Sequence, residues 1–200
     1  MNQAKLVDST NLSLIARGLR FSRNSQKKSD TIDPNIIGDK DLDLIQRVAL
    51  GNDNTSNHSS VLEHSMIVFD IKCSAKCLLE LSRHRIGTSM TVTSSRYALR
   101  KIKVEYERTG NPDVDALMAV TIAGVKELLK SKKNKLDHIS MALPASFYYT
   151  LQLTFNLRSL VHFLKLRLDR SAHYTIRNVA KEMYNEIPED YKRLLEVVKF

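Results

Sequence analysis

Glu80-Leu81-Ser82-Arg83-His84-Arg85-Ile86-Gly87-Thr88-Ser89-Met90-Thr91-Val92-Thr93-Ser94-Ser95-Arg96-Tyr97 opens on three adjacent side chains that can be cationic, crosses a run of small hydroxyl residues and closes on Ser-Ser-Arg-Tyr. Arginine presents a planar fork of donors that suits phosphate and carbonyl edges, and serine or threonine hydroxyls add short donors. Small residues let a ligand approach the backbone closely. As chemistry the stretch reads as an anion-binding loop for a phosphorylated ligand. A solvated basic turn is the plain alternative, because charge clusters are often only surface.

Upstream of that loop, Cys73–Arg85 reads as a helix with Cys77, Leu78 and Leu81 inward, carrying Arg83, His84 and Arg85 to its favourable C-terminal end. Before it, Ser65–Lys72 alternates as a strand, with Ile67, Phe69 and Ile71 making the apolar face. Residues 1–20 read as a strand or short helix, and Arg23–Ile37 as a polar loop whose Ser25–Asp30 stretch is expected to be mobile. A helix is expected over Asp41–Leu50 with Leu44, Ile45 and Val48 buried, ended by Gly51-Asn52-Asp53-Asn54.

Downstream, Tyr97–Arg108 is basic and fits strand or helix, while Asn111-Pro112-Asp113 marks a helix start. That helix should run through Lys130 and bury Leu117, Val120, Ile122, Val125 and Leu128, followed by a lysine-rich linker over residues 130–135. A further helix, apolar almost all round, is expected from Pro144 through Leu166, and a last one from Ser171 to Ile187, stopped by Pro188. Within the apolar segment stand Asn156, Arg158, His162 and Arg167. Polar groups of this kind are costly to bury without partners, so an anionic or carbonyl-rich ligand accounts for them economically.

Lysine and arginine total 31 against 22 acidic residues, a formal charge of +9 that implies anionic partners. Nucleic acid, a membrane surface and phosphorylated small molecules all satisfy it. Cys73 and Cys77 lack the spacing of a redox or zinc motif and read as buried thiols, which fits a reducing, cytoplasmic compartment. No apolar run is long enough to span a bilayer, and the first residues lack a signal-peptide core. Two hundred residues suit one domain, residues 1–200, or one protomer of an oligomer.

Arg83-His84-Arg85, a spacer and Ser94-Ser95-Arg96-Tyr97 resemble the signature of the flavin-dependent thymidylate synthases. Asn156-Leu157-Arg158-Ser159-Leu160 through Arg167 resembles that family's second conserved block, and Ala172–Arg177 the segment after it. His58–His64 resembles its His-x-Ser-Pro-x-Glu-His strip, Ala142-Leu143-Pro144 its Leu-Pro, and Ala16–Ser22 is a weaker echo of the first strip. The likeness follows the family's order along nearly the whole chain.

The resemblance implies an α+β fold, a mixed sheet flanked by helices, assembled as a homotetramer with sites between subunits. It implies reductive methylation of deoxyuridine monophosphate (dUMP) to thymidylate, with methylenetetrahydrofolate as one-carbon donor and NADPH reducing a bound FAD. Carried over by position, Arg83, His84, Arg85 and Ile86 face FAD, completed by Ser60, Asn156, Arg158 and His162, with His58 toward the folate side. Glu80, Arg83, Val92, Ser94, Ser95 and Arg96 hold the nucleotide, and Arg167 sits against the pyrimidine as the catalytic group. The family uses no enzyme nucleophile on the base, so neither Ser94 nor a cysteine is given that role.

Departures from the pattern are local. The spacer Ile86–Thr93 has eight residues where seven are usual, Val92 replaces a frequent Glu, Glu80 a common Gln, and Val61 a Pro. Ser140 stands where a basic residue usually helps hold the nucleotide, with Asp137 in the paired acidic position, and His173 and Thr175 replace Gln and Glu. Three other readings follow. One is a same-fold flavoenzyme acting on another deoxypyrimidine nucleotide or installing a hydroxymethyl group. Another is a silent subunit that keeps the fold. The last is a basic nucleic-acid-binding protein, against which stand cations spread over several segments and the absence of a recognised motif.

Overall fold

The computed structural model describes residues 3–51 and 58–200; Met1, Asn2 and Asn52–Asn54 of the stretches read above lie outside them. Strand β2 (Met66–Ser74) carries the expected alternation, with Ile67, Phe69 and Ile71 buried and Met66 and Asp70 exposed. It lies between β1 (Gln3–Ser9) and β4 (Tyr148–Asn156), and β3 (Thr88–Val92) closes the far edge in the order β1-β2-β4-β3. Every pairing is antiparallel, so the α+β class holds while the sheet is not mixed.

The expected helix from Pro144 to Leu166 is instead β4 followed by α7 (Leu157–Arg167). Leu151, Leu153 and Phe155 point into the core and Gln152 is exposed, a period of two that an overall apolar composition conceals. Aromatic and β-branched residues favour the strand. Asn156 then turns strand into helix, its side-chain carbonyl accepting the Ser159 amide at 2.8 Å as an N-cap.

One face of the sheet is covered by α1 (Ser13–Phe21), α7, α8 (Tyr174–Glu186) and α9 (Glu189–Leu195), with α2 (Asp39–Ala49) outside α1. Phe69, Phe155, Phe163, Ile176 and Val179 are fully buried between them. In α2 the buried residues are Asp41, Leu42, Ile45 and Ala49, whereas Leu44 and Val48 are only half-buried. Asp41 is inside because Arg20 meets it at 2.5 Å and Thr31 donates to it at 2.7 Å. Asp30, at the end of the stretch expected to be mobile, accepts the Lys40 and Asp41 amides at the start of α2.

The predicted helix over Cys73–Arg85 is shorter at both ends. Cys73 lies in β2, and α3 (Ala75–Leu81) follows directly on Ser74, the last strand residue and N-cap, whose hydroxyl accepts the Cys77 amide. The two thiols are thus buried from different elements rather than from one helix face, and the hydrogen bond with Cys73, then burial, raises the Cys77 thiol well above its usual range. A second, smaller core of Leu99, Val104, Ile122, Val125, Ile139 and Phe147 joins α4 (Ser95–Ala98), α5 (Pro112–Lys130) and α6 (Leu136–Ser140). Asn111 caps α5 as its sequence requires, accepting the Asp113 amide at 3.0 Å. Leu117, Val120 and Leu128, expected inside, are open to solvent. Tyr97–Arg108 forms neither long strand nor helix beyond α4, and α9 is a helix the sequence reading did not anticipate.

Candidate active site

Two groups of cations rise from these elements. In the first, the turn after α3 and the exposed side of α7 face each other across a cleft of about 540 Å³, lined by Arg83, His84, Arg85, Ile86, Arg158, Ser159 and His162. Arg158 and His162 share one helix face, as their spacing of four requires. Both are exposed rather than buried in an apolar helix, since α7 turns only its other side to the core. Glu63, in the short 3-10 helix Ser59–His64, pairs with Arg158 at 2.7 Å.

Gly87 shapes the same turn. Its φ of +64° suits glycine, and a Cβ there would run into the side chains of Asn156 and Ser159. Asn156 donates its amide to the Gly87 carbonyl at 2.8 Å, and the Ser159 hydroxyl donates to the Ile86 carbonyl at 2.7 Å. These contacts fix Arg85 and Ile86 above the start of α7. Ser159, Gly87 and Glu63 were missed as site residues; the polar Asn-x-Arg-Ser at the head of an apolar helix was the available signal. Ser60, within that 3-10 helix, and His58, just before it, are exposed, with the His58 amide bonded to the Val48 carbonyl.

Arg167 ends α7 behind this cleft. Its Nε–H donates to His84 Nε2 at 3.0 Å, and its Nη1 meets Glu80 Oε2 at 3.2 Å. Glu80 is buried, and Lys76 and Arg83 also approach its carboxylate, each at 3.5 Å. Burial opposes ionisation of Glu80, but Arg83, Arg167 and Lys76 hold its carboxyl below the usual range. Burial lowers the His84 pKa to about 4, helped by Arg167 and His162 and opposed by Glu80, so the ring is neutral near pH 7.

The second group stands on the smaller core. Ser94 and Ser95 lead into α4, and Arg96 Nε pairs with Asp137 of α6 at 3.1 Å. Ser140 turns its hydroxyl onto the Asp137 carbonyl at 2.7 Å. Val92 lies half-buried at the end of β3. Among the described residues, no hydrogen bond or ion pair joins Ser94–Arg96 to Glu80, Arg83 or Arg167. A larger cleft of about 810 Å³ shares no lining residue with the first and mixes Glu105, Glu107 and Glu182 with Lys72, Arg108 and Lys126.

A family model described as thymidylate synthase complementing protein matches residues 5–190. The chain is 36% identical to a flavin-dependent thymidylate synthase of Wolinella succinogenes, over 94% of this chain and 95% of the relative. It is 34% identical to one from Campylobacter jejuni, over 97% and 96%. Among solved structures, thymidylate synthase X from Helicobacter pylori, with FAD and dUMP, is similar with a TM-score of 0.87 and 30% identity, both chains being covered in full.

Proposed function

Because the chain belongs to the flavin-dependent thymidylate synthase family, we propose that it forms thymidylate from dUMP with bound FAD, methylenetetrahydrofolate and NADPH, as one domain over residues 1–200. The observation that carries this reading is the first cation group. Its cleft fits a flavin dinucleotide: Arg83, Arg85 and Arg158 answer a diphosphate, and the glycine turn, packed on Asn156 and Ser159, holds Arg85 and Ile86 at its rim. Arg83, His84, Arg85, Ile86, Asn156, Arg158 and His162 would hold FAD there, with Ser60 beside them and His58 toward the folate. FAD reduced by NADPH supplies the hydride that completes the methyl group. Glu80, Arg83, Val92, Ser94, Ser95 and Arg96 would hold dUMP, with the phosphate on Arg96 and the two serines. Arg167 would take the pyrimidine edge. A guanidinium at that edge stabilises negative charge on the ring and raises electron density at C5, the carbon that exchanges its proton for the one-carbon unit.

The separation of the two groups within one chain supports sites completed by other copies in a homotetramer. So do Leu117 and Val120, 62% and 70% exposed on α5, since uncovered apolar stripes mark protein contacts. Among the described residues no helix is long and apolar enough to cross a membrane, and we place the enzyme in the cytoplasm, where reduced thiols at Cys73 and Cys77 belong. The visible spectrum of the purified protein tests the reading. A flavin band that bleaches with NADPH, followed by thymidylate formation when dUMP and methylenetetrahydrofolate are added, is expected. Failure to carry or take up flavin would overturn it, and a methylated or hydroxymethylated product other than thymidylate would reassign the substrate.

A further inference from the structure

Arg167 is already committed on one side. Of its five guanidinium N–H groups, Nε–H goes to His84 Nε2 at 3.0 Å, one on Nη1 to Glu80 Oε2 at 3.2 Å, and one on Nη2 to the Glu80 carbonyl at 3.4 Å. The two that remain, one on each terminal nitrogen, form a fork that can address adjacent acceptors on a planar ring. Its holders are themselves fixed. Glu80 is buried at the end of α3. The His84 ring stands edge-on to Phe163, centroids 5.0 Å apart, and Phe163 is fully buried against Phe155.

The direction of the Arg167–His84 bond dictates the state of the imidazole. Arginine is a donor only, so Nε2 must offer a lone pair and the ring must be neutral with its proton on Nδ1. We infer that His84, beyond lining the flavin cleft, is a positioning residue for Arg167, its Nε2 lone pair and the Glu80 carboxylate together aiming the free fork of the guanidinium at the pyrimidine. This inference rests on the function proposed above only for the identity of the ligand; the clamp itself is a property of the chain. A protonated His84 would set two cations 3.0 Å apart at the bond now present, with His162 and Arg83 nearby and only Glu80 to offset them.

Nitrogen NMR of the full-length protein labelled in histidine, without ligand, reads the clamp directly. We expect a neutral His84 with Nε2 unprotonated, titrating near pH 4, and a midpoint raised by about one unit or more in Arg167→Gln. On the FAD-loaded protein, His84→Gln, which keeps an acceptor, should hold dUMP affinity within about threefold, and His84→Phe, which keeps the ring shape alone, should lower it about tenfold or more. Flavin affinity is measured for both variants, so that loss of cofactor is not counted as loss of aim. A proton on Nε2 in the neutral ring, a midpoint indifferent to Arg167, or equal loss of dUMP in the two variants would overturn the inference. A wild-type protein with the expected tautomer that binds neither FAD nor dUMP keeps the clamp and removes the functional reading instead.

Discussion

Arg167 and Arg96 carry the same guanidinium and are proposed for opposite ends of the same nucleotide, yet the chain treats them differently. Arg167 has a side chain 16% exposed and three bonds to fixed acceptors, whereas Arg96 is 64% exposed and has one carboxylate partner, Asp137. Under the proposed roles, orientation would be supplied in advance at the pyrimidine end and left to the ligand at the phosphate end. Chemistry gains from the first arrangement, because a donor aimed at developing charge costs nothing to reorganise during the reaction. A phosphate needs less: its oxygens present acceptors in many directions, and a mobile cation finds them.

Removing Arg167 should have the largest effect. Arg167→Ala is expected to lower turnover about 10²–10³-fold, the scale of losing a donor aimed at developing charge. Glu80 would keep Lys76 and Arg83 as partners, so the fold should survive. Steady-state kinetics beside a thermal melt separate the two. A variant that loses affinity for dUMP with turnover intact would reduce Arg167 to a binding group and erase the contrast.

Arg96→Ala should act on the other kinetic constant. Losing one charge-assisted bond to phosphate costs on the order of 1.5–3 kcal/mol, so the KM for dUMP should rise about ten- to a hundredfold while kcat stays nearly constant. Salt should weaken dUMP binding less in the variant than in the wild type, because an exposed cation is screened. An equal fall in kcat and kcat/KM would mean that Arg96 also meets the transition state.

Both arginines stand out in the sequence as candidate ligand groups, and their different settings do not. Arg83–Ile86 are contiguous and Arg158 and His162 are one helical turn apart, so adjacency and spacing sufficed to bring them together. The bonds from Arg167 to His84 and Glu80 span 83 and 87 residues, and nothing local encodes them. Long-range placement also explains the errors of fold. Ile67, Phe69 and Ile71 announce β2 by alternation, and Asn111-Pro112 announces α5 by its cap. Tyr148–Phe155 is apolar enough to pass as the first half of α7, and only Asn156 as an N-cap separates them. Leu117, Val120 and Leu128 look like core by type; their exposure depends on which neighbours α5 receives in space.

Acidification distinguishes the two arginine settings more gently. His84 has its pKa lowered from 6.5 to about 4, so its contribution to stability is complete above pH 6.5. That contribution declines as the unfolded chain takes up a proton that the folded ring refuses, and the loss is finished near pH 4. The full shift would correspond to about 3 kcal/mol; for a half-buried ring open to solvent screening, about 1–2 kcal/mol is expected. Melting curves of wild type and His84→Gln between pH 7.5 and 4.5 should therefore converge as pH falls, the wild type losing the more. Parallel curves would show that neither burial nor Arg167 holds the His84 pKa down.

Asp137→Asn should have the smallest effect, and its sign is informative. The Arg96–Asp137 pair is exposed on both sides, at 64% and 52%, and such pairs contribute about 0–1 kcal/mol. Asp137 competes with an incoming phosphate for Arg96 and repels it as a like charge. Its removal should tighten dUMP binding slightly, by about threefold or less, and the gain should vanish at high salt. Calorimetric titration at two ionic strengths is sensitive enough. Weaker binding in the variant would show that Asp137 aims Arg96 as Glu80 aims Arg167, and preorganisation would then extend to both ends of the nucleotide.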